Sequence, residues 1–248
     1  MADRLTLTGR VASASNAVLV GELDGVRVVY KPVAGERPLH DFPDGTLARR
    51  EVAAFAVSEA TGWGIVPDTR LVDGPYGVGM LQRWVDADDA QEAVTLVPPD
   101  AVPAGMLHVL DGVGIDDAPV ALVHEDTAAL RRIAVLDLVA NNADRKGGHV
   151  LECADGHRHG IDHGLTMHVE PKLRTVLWGW IGEPLDAEEV AGVRRVRAAL
   201  DRDLAAVLLE LLAPSEVDAL VARCDALVAA GAFPEPLAGL PAVPWPPF

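Results

Sequence analysis

Lysine is nearly missing from this chain. Only Lys31, Lys146 and Lys172 occur in 248 residues, and arginine supplies the remaining strong positive charge. A compact ammonium binds phosphate differently from a guanidinium fork, so the positions that keep lysine carry weight. Cysteine is as scarce. Cys153 and Cys224 stand far apart, which predicts reduced side chains rather than a bridge. No run of eighteen apolar residues exists, and Met1-Ala2-Asp3-Arg4 lacks the charged and apolar pattern of a signal peptide, so the expectation is a cytoplasmic protein. Neither a lipid-anchor motif nor a basic amphipathic helix is visible, so no stable membrane anchor is expected. Positive charge is outnumbered throughout. A net charge of −16 disfavours phosphate-rich partners, so no nucleic acid is expected among them.

What is present is a full complement of core-forming residues. At 50% hydrophobic, the chain can fill one large domain or two lobes. Leu5 to Ala12, Ala17 to Leu23 and Val26 to Lys31 read as a three-stranded meander, with Asp24-Gly25 as a two-residue hairpin turn. Ser13-Ala14-Ser15-Asn16 is a small-residue turn. The side chains of Ser13, Ser15 and Asn16 would let backbone N–H groups approach a phosphate, although an ordinary hairpin turn has the same composition. Thr46 to Thr61 is helical by composition, with Leu47, Val52, Phe55 and Ala56 as its apolar stripe, Glu51 beside it and Gly62 as its stop. Ile65 to Val72 and Val78 to Val85 predict two more strands.

Composition changes near residue 86. Asp86 to Pro119 is acidic and proline-bearing, with one short helix expected near Met106 to Leu110. The expected division is therefore residues 1–85 as an N-terminal lobe, 86–232 as a C-terminal lobe and 233–248 as a proline-rich tail, extended and either packed as a strap or free. Asp126 is positioned to cap a helix running to Ala140, and further helices are expected at about Asp186 to Leu200, Asp201 to Leu212 and Ser215 to Ala230.

The stretch from Leu136 to Met167 holds the chemistry. Asp144, Arg145, Lys146, Gly147, Gly148 and His149 form a polar loop after an apolar helix, and a hairpin around Asp155-Gly156 returns the chain to a second acid, Asp162. Two carboxylates on two loops are what metal-assisted phosphoryl transfer requires: one orients the acceptor hydroxyl and the other holds the cation. Lys31, at the end of the third strand, could pair with Glu51. A different chemistry is suggested by His149, His157, His159, His163 and His168, which crowd one region and admit a metal-binding hydrolase, although their spacings match no zinc signature.

In order and spacing, VVYKP, REVAAFAV, NNADRKGGH and IDHGL resemble the phosphatidylinositol 3-/4-kinase-like branch of the protein-kinase fold, which includes the HipA-type bacterial kinases. The likeness is strongest to bacterial type II phosphatidylinositol 4-kinase-like proteins and spans about Leu5 to Ala230. It implies an α+β, two-lobed protein-kinase-like fold, with an antiparallel sheet in the N-terminal lobe and a mainly helical C-terminal lobe. It implies an ATP-dependent kinase that transfers the γ-phosphate to a hydroxyl of a lipid, a small polyol or a protein. By the same resemblance Lys31 contacts the α- and β-phosphates with Glu51 as its partner, and the Gln82-Arg83-Trp84-Val85 backbone receives adenine. Asp144 is the catalytic aspartate and Asp162 the Mg²⁺-binding aspartate. The sequence departs from the family's Asp-Arg-His-x-x-Asn in having Lys146 at the histidine and His149 at the asparagine. Lys146 then suits charge neutralisation on the transferred group. Imidazole at His149 favours Mn²⁺ more than an amide oxygen would, and Asn142 offers an alternative oxygen ligand or a loop cap. The same departure admits a nucleotide-binding pseudokinase with little turnover.

Overall fold

A computed structural model describes residues 5–11, 17–37, 39–42, 46–88, 92–114 and 116–248. The meander forms as strands β1 (Thr6–Arg10), β2 (Leu19–Leu23) and β3 (Val26–Pro32). With β4 (Thr69–Gly74) and β5 (Gly77–Arg83) they make an antiparallel sheet in the order β1-β2-β3-β5-β4. Strand alternation sorts the sheet's two faces. Val28, Tyr30 and Leu81 join Leu23 in a small outer cluster. Lys31 pairs with Met80 and Val29 with Gln82, which puts those four on the opposite face, towards the rest of the molecule.

Helix α1 (Leu47–Thr61) packs there, ending at Gly62 in the left-handed conformation that glycine adopts without a Cβ penalty. Its buried face is not the expected apolar stripe. Val52, Phe55 and Ala56 are only partly buried, whereas Arg50, Glu51, Ser58 and Thr61 are buried beside Leu47, Ala48, Ala53, Ala54 and Val57. Each of these polar residues has a partner inside. Arg50 donates to Glu216 at 2.6 Å and to the Thr166 carbonyl at 2.7 Å, and Ser58 Oγ accepts from Val66 N at 3.0 Å. A helix face filled with satisfied polar groups has no apolar periodicity to detect.

The segment after residue 86 also departs from expectation. Instead of a helix near Met106, β6 (Val94–Val97), β7 (Met106–Val113) and β8 (Pro119–Glu125) form a second antiparallel sheet in the order β6-β8-β7. Helix α2 (Ala128–Ala140) follows. Its N-cap is Thr127, whose Oγ1 accepts from Leu130 N, while Asp126 accepts instead from Trp180 Nε1 at 2.9 Å. The hairpin β9 (Val150–Glu152) and β10 (Arg158–Gly160) leads back to Asp162. Helices α3 (Ala187–Leu200), α4 (Asp203–Leu209) and α5 (Pro214–Ala230) complete the helical part, α3 opening with an Asp186/Glu189 capping box.

The class is thus α+β, an antiparallel-sheet lobe against a largely helical one that carries its own small sheet. One hydrophobic cluster joins Ala53, Ala54 and Val57 of α1 to Ile133 and Leu136 of α2, Val193 and Val196 of α3 and Leu220 of α5. The tail from Phe233 lies against this body as a strap. The Ala242 carbonyl accepts from Thr175 N at 3.0 Å and from Trp178 Nε1 at 2.8 Å.

Candidate active site

Three charged groups meet where the strand, the helix and the hairpin loop converge. Lys31 Nζ lies 2.7 Å from Glu51 Oε1 and 2.9 Å from Asp162 Oδ1. Glu36 sets the position of Glu51 by accepting from Leu47 N and Ala48 N, amides that α1 would otherwise leave open at its start. Glu51 also reaches the other loop: its Oε2 accepts from His163 N at 2.9 Å, so one carboxylate fixes both the lysine and the residue after Asp162. Asp162 itself sits at φ 60°, a backbone state that aspartate tolerates better than most side chains.

Burial works against the charge on Lys31, but the Asp162 and Glu51 carboxylates outweigh it and raise the lysine above its ordinary pKa. Lys31 in turn holds Asp162 well below the usual carboxylate range, while burial pushes Glu51 up. The ammonium and the Asp162 carboxylate are therefore both charged.

The loop after α2 contributes from the other side. Burial raises the Asp144 carboxyl, with Lys146 Nζ at 3.6 Å pulling the other way. Asn142 is fully buried: its Oδ1 accepts from Asp144 N and its Nδ2 donates to Asp137 Oδ1. Both ends of its amide are engaged in holding the loop, which is the loop-cap alternative of the two expected for Asn142.

His149 faces Asp162. Its Nδ1 lies 3.0 Å from the Asp144 carbonyl, which can only accept, so Nδ1 carries the proton and Nε2 presents a lone pair 3.3 Å from Asp162 Oδ2. Burial lowers this imidazole's pKa to about 4, leaving the ring neutral near pH 7. Two electron-pair donors so close favour a cation between them, and an imidazole nitrogen with a carboxylate oxygen is a donor pair suited to a divalent ion. Among the described residues no group of three or more His, Cys, Asp or Glu side chains is placed to hold a metal by itself. The histidine cluster does not form. His157 and His159 bond to the Gly64 and Ile65 carbonyls, His163 is buried against Arg145, and His168 packs on Phe42.

Two cavities share these groups. A cleft of about 690 Å³ is lined by Val18, Val29, Gln82, Trp84, Val85 and Ile161 together with Lys31, Lys146, His149 and Asp162. An adjoining cavity of about 410 Å³, sharing Lys31, Lys146 and Asp162 with the first, is lined also by Glu51 and Asp144. Of the predicted adenine-facing backbone, Arg83 N already bonds Asp68 O and Trp84 N bonds Arg27 O, while Gln82 Nε2 is held by Thr69 Oγ1. Ser13, Ser15 and Asn16 lie outside the described residues.

A buried hub beneath the site went unread in the sequence. Arg145 is fully enclosed and makes a two-pronged contact to Asp137 at 2.7 and 2.9 Å, with further bonds to the His149 and Ile161 carbonyls and to His163 Nε2. It ties the Asp144 loop to the Asp162 loop. The available signal was Asp137 itself, an acid inside the apolar helix AVLDLVA that needed a buried cation as partner.

No family model matches the chain. It is 48% identical over 257 residues to the Mycobacterium tuberculosis protein Rv2133c, covering 98% of this chain and 92% of that one. The chain belongs to the Rv2133c family. This Rv2133c-family chain is also 28% identical over 183 residues to phosphatidylinositol 4-kinase gamma 4 of Oryza sativa subsp. japonica, a match to 65% of the chain and 27% of that protein. Among solved structures it is similar to the Helicobacter pylori proinflammatory kinase CtkA, with 10% identity, a TM-score of 0.46 and 93% of each chain covered. It is also similar to the Shewanella oneidensis MR-1 toxin–antitoxin protein HipA, with 13% identity and a TM-score of 0.41 over 90% of this chain and 65% of that one. Among the described residues, no helix is long and apolar enough to cross a membrane.

Proposed function

We propose that this protein is an ATP-dependent phosphotransferase that moves the γ-phosphate to a hydroxyl acceptor. The observation that carries the reading is Lys31, held between Glu51 and Asp162 at the junction of two cavities. The larger cleft offers the apolar side chains of Val18, Val29 and Ile161 to a base, with the Val85 amide next along the chain from Arg83 N and Trp84 N, which are engaged within the protein. Lys31 and Lys146 offset phosphate charge where the cavities meet, each acting as a fixed charge in a partly desolvated place. Asp162 and His149 would hold Mg²⁺ or Mn²⁺, which when bound supplies charge neutralisation across the phosphates.

Asp144, in the second cavity, accepts a hydrogen bond from the acceptor hydroxyl and orients its oxygen towards the γ-phosphorus. As the new O–P bond forms, the bond to the β–γ bridging oxygen breaks, ADP departs with that electron pair, and the hydroxyl proton passes to Asp144. The likeness to a phosphatidylinositol 4-kinase supports a phosphoinositide among the acceptors, beside a polyol or a protein serine.

The test is transfer from γ-labelled ATP into a panel of phosphoinositides, polyols and cell-extract proteins, with Mg²⁺ and with Mn²⁺. Asp144→Ala should lower transfer roughly 10²–10⁴-fold, the range of a positioned general base, while nucleotide binding persists. A fully active Asp144→Ala enzyme rejects the assignment, and nucleotide binding without transfer to any acceptor turns the reading into that of a pseudokinase.

A further inference from the structure

We infer that the C-terminal strap is a working part of the cleft: Phe248 braces the loop carrying Asp144, Lys146 and His149 and forms one wall of the nucleotide side. The inference rests on the reading of that cleft as a nucleotide site, but its structural half can be tested separately.

The strap is tied down along its length. Phe233 is buried against Trp180, Ala232 bridges to Pro184, and the Ala242 carbonyl accepts from Thr175 N and from Trp178 Nε1. These contacts deliver Pro247 to the functional loop, where its carbonyl accepts from Gly147 N at 2.9 Å. Gly147 lies between Lys146 and His149, so this bond fixes the loop backbone between two groups that line the cleft.

The ring of Phe248 packs on the same residue. A Cβ at position 147 would come within 2.5 Å of Phe248 Cε1 and 2.7 Å of Cδ1, closer than real side chains approach. The loop has a glycine where the ring lies against its backbone. Phe248 also lines the 690 Å³ cleft together with Val18 and Val29, and borders the adjoining groove with Val94, Gly148 and Leu151. About half of the Phe248 surface remains open, so an apolar face is presented to whatever enters. A flat heteroaromatic base fits such a wall better than a sugar or a phosphate, because ring faces gain from offset stacking.

Phe248 is thus a positioning residue for Lys146 and His149 and a wall residue for the base. Two measurements on the full chain test this, for the wild type and for Phe248→Ala, Phe248→Tyr and Gly147→Ala. The first is amide hydrogen exchange without nucleotide. Removing the brace should speed exchange at Gly147, Gly148 and His149 roughly tenfold, with α2 and α5 unchanged, as expected for local opening rather than global unfolding. The second is calorimetric titration with a non-hydrolysable ATP analogue and Mg²⁺. Phe248→Ala and Gly147→Ala should each weaken binding roughly five- to tenfold by loss of preorganisation, and Phe248→Tyr should bind like the wild type. Unchanged exchange in Phe248→Ala overturns the brace, and unchanged affinity overturns the wall. If wild type binds no nucleotide, the phosphotransferase reading fails instead, and exchange alone decides whether the strap holds the loop.

Discussion

Arg145 shows how the loops of a candidate site can depend on a residue buried beneath them. Its guanidinium is fully enclosed, and Asp137 is the carboxylate that balances it at 2.7 Å. Removing one partner of a buried pair strands the other charge without water, which costs more than the pair itself contributes. Asp137→Ala is therefore expected to destabilise the protein by about 3–5 kcal/mol in equilibrium denaturation. A loss below about 1 kcal/mol, the value of an exposed pair, would show that Arg145 is not enclosed as described. Lys31, Glu51, Asp144, Lys146, His149 and Asp162 stand out by type and order, and the structure gathers them around two adjoining cavities. Asn142 stays open between ligand and loop cap at the level of sequence, because an amide two residues before an acid has the same composition whether it points into the cleft or back into the loop. Only its buried partners, Asp137 and Asp144 N, separate the two.

The elements are set by packing as much as by propensity, and α3 shows this. Gly192 lies mid-helix, where glycine is about 1 kcal/mol worse than alanine on intrinsic preference. Yet a Cβ there would overlap the indole of Trp63, whose Nε1 also donates to Glu188 on the same helix at 3.2 Å. The two effects oppose each other, and the overlap is with a rigid, buried ring. Gly192→Ala should thus destabilise the fold by about 1–3 kcal/mol, the usual cost of overpacking, when followed by urea denaturation. A stabilised variant would mean that α3 is not packed against Trp63, just past the end of α1, as this contact requires. The same tension between packing and pattern explains which elements were legible. The β1–β3 meander and β9–β10 were readable because Asp24-Gly25 and Asp155-Gly156 mark tight turns between alternating strands. The sheet of β6, β7 and β8 was not, since proline and acidic residues obscure a strand that is half exposed. Helix α1 is legible by composition, but its inner face is only partly so, because Arg50, Glu51, Ser58 and Thr61 share it with Leu47 while Phe55 and Ala56 pack at its margin.

At the scale of the whole molecule, a cleft between a sheet lobe and a helical one invites the expectation of two independently melting parts, since interfaces within a chain are commonly small and polar. The distribution of the core argues otherwise. Ala53, Ala54 and Val57 of α1 belong to the same hydrophobic cluster as the helices of the later half, and the sheet's own cluster of Leu23, Val28, Tyr30 and Leu81 is small. Across the same junction, buried Arg50 spans from α1 to Glu216 on α5 and to the Thr166 carbonyl. Separating the halves would expose apolar surface and leave that guanidinium unpaired, so partial unfolding carries most of the cost of complete unfolding. The expected outcome in scanning calorimetry is one transition, with calorimetric and van't Hoff enthalpies in agreement. An ATP analogue with Mg²⁺ at 100 times its Kd should stabilise that transition as a unit by about 2.7 kcal/mol, because a ligand bound in the shared cleft contacts both halves. Two resolved transitions, with only the earlier one moved by nucleotide, would instead show that α1 belongs energetically to the sheet and that the cleft lies between separable bodies.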